Sequence, residues 1–151
     1  MLPASQELSS FIAKYSPAIA TLAKAVLGKM RKRLPGALEL VYDNYNALAI
    51  GFGPSERASE AILSIALYPR WVTLFFLHGA NIQDPEKLLK GSGKRVRHIV
   101  LKDASALDEP AVQALIAQAL KTAAVPIDPK GQGRLVIKSI SGKQRPRLPA
   151  K

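Results

Sequence analysis

Two apolar runs, residues 62–68 and 71–77, flank a Pro69-Arg70 turn and constrain the fold more than any other feature of the chain. Each is too short for an ordinary helix and rich in apolar and aromatic residues, so each reads as a strand. Both are apolar on both faces. Strands of that kind belong near the middle of a sheet, covered on each side or buried in an oligomer.

The flanking segments supply the rest of a sheet. Leu38, Leu40 and Tyr42 alternate with Glu39, Val41 and Asp43. The turn residues Asp43-Asn44-Tyr45-Asn46 follow, and then Leu48, Ile50 and Phe52 alternate with Ala47, Ala49 and Gly51. Period-two patterns around such a turn predict a β-hairpin. Residues 96–101 read as a fifth strand.

Helical spacing appears at both ends. Leu8, Phe11, Ile12 and Tyr15 share one helix face. Ser16-Pro17 predicts an N-cap with proline in the first turn of a second helix, which buries Ile19, Leu22, Ala23, Val26, Leu27 and Met30. Lys29, Arg31, Lys32 and Arg33 suit its C-terminal dipole, and Pro35-Gly36 stops it. A last helix opens at Asp108-Glu109-Pro110, with the two carboxylates capping it, and buries Val112, Leu115, Ile116, Ala119 and Leu120. Residues 79–93 are irregular, with a short helix around 85–89. The expected architecture is therefore α+β. It has an antiparallel sheet of about five strands, with N-terminal helices and a C-terminal helix packed on it.

Residues 1–129 form one domain of ordinary size. Residues 130–151 turn polar and read as a basic, flexible C-terminal tail, in which Leu135-Val136-Ile137 alone suits a short strand or docking segment.

Charge is the unusual feature. Lys and Arg total 22 against 11 acids, a net +11, and seven of those net charges lie in residues 130–151. Such an excess concentrates anions: nucleic acid, acidic proteins or phosphorylated metabolites. The chain has no Cys, which removes disulfides, thiolate chemistry and Cys-based zinc sites. The first residues lack a basic stretch followed by an apolar run, so no signal peptide is expected and the cytoplasm is the expected location. No apolar stretch approaches the ~20 residues that span a bilayer, and no membrane partner is expected.

Three segments bear on chemistry. Residues 87–102 hold six cations and His98 with no acid, around Lys90-Gly91-Ser92-Gly93-Lys94. Glycines let a backbone approach an anion, and Lys90, Lys94 and Arg97 supply the field, so 90–97 is a candidate anion-binding loop. It is no nucleotide-hydrolysing P-loop, because Leu88 and Arg95 stand where that motif needs Gly and Ser or Thr. The tail cations Arg134, Lys138, Lys143, Arg145 and Arg147 are candidate phosphate contacts, although no aromatic accompanies them in 130–151. His78 and His98 have no neighbouring carboxylates and read as structural, as does Trp71, which is expected to be buried in its strand. No nucleophile–base or metal-ligand constellation appears, so binding ranks ahead of catalysis, and neither a cofactor nor a metal is expected.

The block Tyr68-Pro69-Arg70-Trp71-Val72-Thr73-Leu74-Phe75-Phe76-Leu77-His78-Gly79-Ala80, followed by Asp84-Pro85, Leu88, Gly91-Ser92-Gly93-Lys94 and Arg97-His98-Ile99, resembles the YdhG-like family of small bacterial domains of unknown function. The likeness covers about residues 19–124, and its specific part is 68–99. It implies an α+β fold rather than an activity. One branch is described as a frataxin-like iron chaperone, which implies a carboxylate ridge for a hard cation. Residues 1–38 hold one acid, Glu7, against six cations. The leading expectation is a binding domain that recognises an anionic ligand through 90–97. A nucleic-acid-associated protein acting through its tail comes second, and iron delivery is a minor alternative. The sequence leaves a homo-oligomer open.

Overall fold

The computed structural model describes residues 2–150. The chain runs α1 (Ala4–Ile12), α2 (Pro17–Arg33), β1 (Leu38–Asp43), β2 (Leu48–Gly53), β3 (Leu63–Leu67), β4 (Val72–Phe76), β5 (Arg97–Leu101), α3 (Pro110–Lys121) and β6 (Leu135–Ile140). The class is α+β, as expected. The sheet has six strands rather than five, in the order β5-β4-β3-β2-β1-β6, and it is mixed. Strands β1 to β5 form an antiparallel meander, and β6 lies parallel to β1.

The sixth strand corrects the expectation for the C-terminus. Residues 135–140 of the expected tail, starting at the Leu135-Val136-Ile137 stretch that suited a short strand, complete the sheet. Leu135 and Ile137 turn toward the helices and pack on the core, which fixes the register of the strand. The chain reaches that edge by a close crossing at residues 36–37. Gly36 has φ +83°, and a Cβ there would stand 1.9 Å from the Asp128 carbonyl oxygen. A Cβ on Gly133 would stand 2.6 Å from the carbonyl oxygen of Ala37. Only glycine fits either position.

All three helices cover one face of the sheet. Ile19, Ala23, Val26, Leu27 and Met30 of α2 meet Leu48, Ile50, Phe52, Ile65, Leu74 and Phe76 in a single core, with Leu115 and Ile116 of α3. The expected helix starts hold at α2, where Ser16 caps with its side chain accepting from the Ile19 amide at 3.3 Å. The start expected at 108–110 holds too, with Glu109 at the N-cap of α3 and Pro110 in its first turn, but no carboxylate caps it, Asp108 included. The Asp108 carboxylate instead bonds Lys29 at 2.6 Å and Arg33 at 3.1 Å, and these cations hold it below the usual carboxylate range. Residues 85–89 form no helix; the Asp84 carboxylate accepts from the Leu88 and Leu89 amides and ties the turn.

Among the described residues, no α-helix covers the other face. The apolar second side of β3 and β4 is therefore not covered as expected. Trp71, expected to be buried, stands just before β4 and is 44% exposed. Part of that face is closed by residues 53–61, which fold back so that Ala61 lies close over Gly51 and Gly53. Leu40 is fully buried there, on the side away from the helices.

Candidate nucleic-acid interface at the C-terminal edge

The segment after β6 is anchored by charge. Asp43 ends β1 with its side chain buried on the helix side, and Arg147 donates to its carboxylate at 2.9 Å. Lys14, between α1 and α2, donates to the other carboxylate oxygen at 2.7 Å. Arg147 also donates to the Asn44 carbonyl at 2.5 Å and lies over the Tyr15 ring at 5.7 Å. Burial alone would raise the Asp43 pKa. Hydrogen bonds from Lys14, Gln144 and Arg147 outweigh it and hold the carboxyl below its usual value. Burial raises the Tyr15 pKa, which keeps its phenol neutral; the phenol donates to the Leu67 carbonyl and accepts from the Leu48 amide, tying β3 to β2.

Backbone bonds extend the anchor. The Ser141 amide donates to the Asp43 carbonyl, and the Arg145 amide to the Tyr45 carbonyl, each at 2.8 Å. Arg70, in the β3–β4 turn, donates to the Ala150 carbonyl at 3.1 Å. Residues 141–150 thus cross the strand ends from the β1–β2 turn to the β3–β4 turn.

This arrangement sorts the cations of the C-terminal segment. Arg147 is 6% exposed and its charge is taken up internally. Arg134 pairs with Glu56 at 2.6 Å, and Lys138 donates to the Glu56 carbonyl at 2.9 Å. Lys143 and Arg145 are exposed, and no ion pair among the described residues takes them up. Arg145 lies over the Tyr45 ring at 5.6 Å. Four exposed cations therefore follow the β6 edge and the adjoining turn, with Glu56 as the acid among them.

Beside that turn, the helix-free face carries an open trough of about 560 Å³. Its floor is made of small residues, among them Ala49, Ser64 and Ala66, and Tyr45, Tyr68 and Phe75 stand around it. Ser141 of the C-terminal segment also lines it. No sequence signal pointed to this site, because small residues alternating on a strand look like the idle side of a hairpin. The aromatic neighbour that 130–151 lacks in sequence is supplied in space by Tyr45.

The loop 90–97 is assembled differently. Lys90 and His98 exchange both backbone hydrogen bonds at 2.9 Å, which closes it as a small hairpin. Gly91 takes φ +118° at the turn. Arg97 donates to the Gly93 carbonyl at 2.5 Å and the Val96 carbonyl at 2.8 Å. Its guanidinium therefore satisfies the loop's own carbonyls, while Lys90, Gly93 and Lys94 lie exposed beside it. The structure does not gather Lys90, Lys94 and Arg97 around a cavity.

No family model matches this chain, nor does any curated protein or solved structure. Among the described residues, no three His, Asp or Glu side chains come together as a metal site, and no helix is long and apolar enough to cross a membrane.

Proposed function

We propose that the protein is a non-catalytic nucleic-acid-binding domain that works in the cytoplasm. The observation that carries this reading is the fixed position of its C-terminal cations. Arg134 and Lys138 are held along the β6 edge, and Lys143 and Arg145 beside the adjoining β1–β2 turn, by β6 and by the buried Arg147–Asp43 pair. A row of cations on a rigid edge neutralises successive phosphates and releases their counterions without first losing tail entropy. The anion loop 90–97 ranks behind it, because Arg97 is spent on Gly93 and Val96. The proposed kinship with YdhG-like domains supplies a fold and no ligand, and among the described residues no carboxylate cluster supports iron delivery.

The test is a variant carrying K138A, K143A and R145A, all at exposed positions. Titrated at low salt against a labelled oligonucleotide of random sequence, it should bind at least tenfold more weakly than the parent chain. Equal binding by both, or no binding by the parent chain, refutes the proposal.

A further inference from the structure

The trough on the helix-free face suggests more than phosphate contact. We infer that it is a stacking platform for unpaired bases, so that the domain prefers single-stranded over duplex nucleic acid. This inference rests on the edge proposal and adds the ligand class to it.

Four features converge there. Among the described residues no α-helix covers this face, and aromatic surface is left in it: Tyr45 is 46% exposed and Phe75 only partly buried. The floor is made of the small side chains Ala49, Ser64 and Ala66, and the trough of about 560 Å³ has room for a planar ring. Arg145 belongs to both sites, because it is one of the edge cations and lies 5.6 Å over the ring of Tyr45, which lines the trough. A backbone held along the edge would thus deliver its bases into the trough. Stacking on aromatic rings and on arginine planes is how folded domains hold single strands without reading sequence.

Charge selects this occupant over the alternatives. An apolar face of this kind also suits a second copy of the chain, but a net +11 opposes bringing two copies together. A polyanion is attracted by the same charge. Duplex nucleic acid buries its base faces and can use the edge alone, so strand state separates the two sites.

The experiment compares a labelled oligothymidylate of about 16 nucleotides with a duplex of the same length. The proteins are the parent chain, Y45A, and A49F, which fills the floor and removes no charge. The parent should bind the single strand more tightly than the duplex. Y45A and A49F should each weaken single-strand binding about tenfold, and A49F should leave duplex binding unchanged. Trp71, the one Trp of the chain, lies 5.5 Å from Tyr68 at the trough's margin, and its fluorescence should fall when the single strand binds. Equal affinity for both strand states, with Y45A and A49F like the parent, overturns the platform and leaves the edge proposal intact. Failure of the parent to bind either strand overturns both. A concentration-dependent dimer in sedimentation that A49F abolishes assigns the trough to a second copy and overturns the platform too.

Discussion

In residues 90–97 the guanidinium of Arg97 folds back on the loop that carries it, while in residues 134–147 the guanidinium of Arg147 reaches a carboxylate more than a hundred positions away in the chain. Both segments are Gly-containing, basic and free of acid. The first is closed by local hydrogen bonds and adds nothing to the core. The second contributes a strand, two core side chains and a buried ion pair. A cluster of like charges gains a defined geometry when one of its members is sacrificed to the interior. Arg147 plays that part here, and the neighbouring cations are positioned as a result.

The contrast breaks most visibly at Asp43 and Arg147. Removing one partner of a buried pair leaves the other charge uncompensated, which costs about 3–5 kcal/mol. D43N, which leaves the buried Arg147 without a carboxylate, should therefore lower the melting temperature by roughly 10 °C, at about 2–4 °C per kcal/mol for a chain of this size, and R147M, which leaves Asp43 its bond to Lys14, by less. The loop variant K94A/R97A should melt with the parent chain. A mild effect of D43N in a thermal melt would place the two segments on the same footing.

Next in size is the crossing at Gly36. Replacing it with Ala forces a side chain into the left-handed region and against the Asp128 carbonyl. The expected cost is about 1–3 kcal/mol, read from a urea unfolding midpoint. The same substitution at Gly93, which has open space around a Cβ and no positive φ, should leave the midpoint in place.

Acid sharpens the comparison further. The Asp43 carboxyl has a lower pKa folded than unfolded, so the unfolded chain takes up its proton first as the pH falls. Its contribution is fully present above the unfolded value of about 4 and is lost as the pH drops below that toward the folded value. Unfolding monitored between about pH 5 and pH 2 should show this loss. In D43N the acid limb should flatten; an unchanged limb would remove Asp43 from the anchor. The smallest effect belongs to the exposed Arg134–Glu56 pair, where R134A should shift the melt by no more than the error of the measurement.

Much of the fold was legible because it is periodic. The α2 cap at Ser16-Pro17, the hairpin at 43–47 and the central pair β3–β4 follow from local spacing and turn chemistry. What could not be read depends on distant partners. Asp43 and Tyr15 look like a turn residue and a helix-face aromatic until β2, β3 and the C-terminal segment arrive around them. Arg147 looks like its neighbours. Leu135-Val136-Ile137 showed a strand in miniature, but the parallel pairing with β1 is set by the crossing at Gly36 and Gly133, which no periodicity announces. Trp71 stands one residue before its strand and shares the parity of Thr73 and Phe75, the side away from the helices, and no periodicity told which side would be covered.

The most direct measurement is the salt dependence of single-strand binding, taken by fluorescence anisotropy for the parent chain, the edge variant K138A/K143A/R145A and the loop variant K90A/K94A. Each phosphate contact contributes roughly 0.7 to the slope of log affinity against log salt for a single strand. Loss of three contacts should therefore reduce the slope by about 2 in the edge variant, and the loop variant should keep the parent slope. A parent slope in the edge variant, with a reduced slope in the loop variant, would contradict the assignment and move the binding surface to residues 90–97.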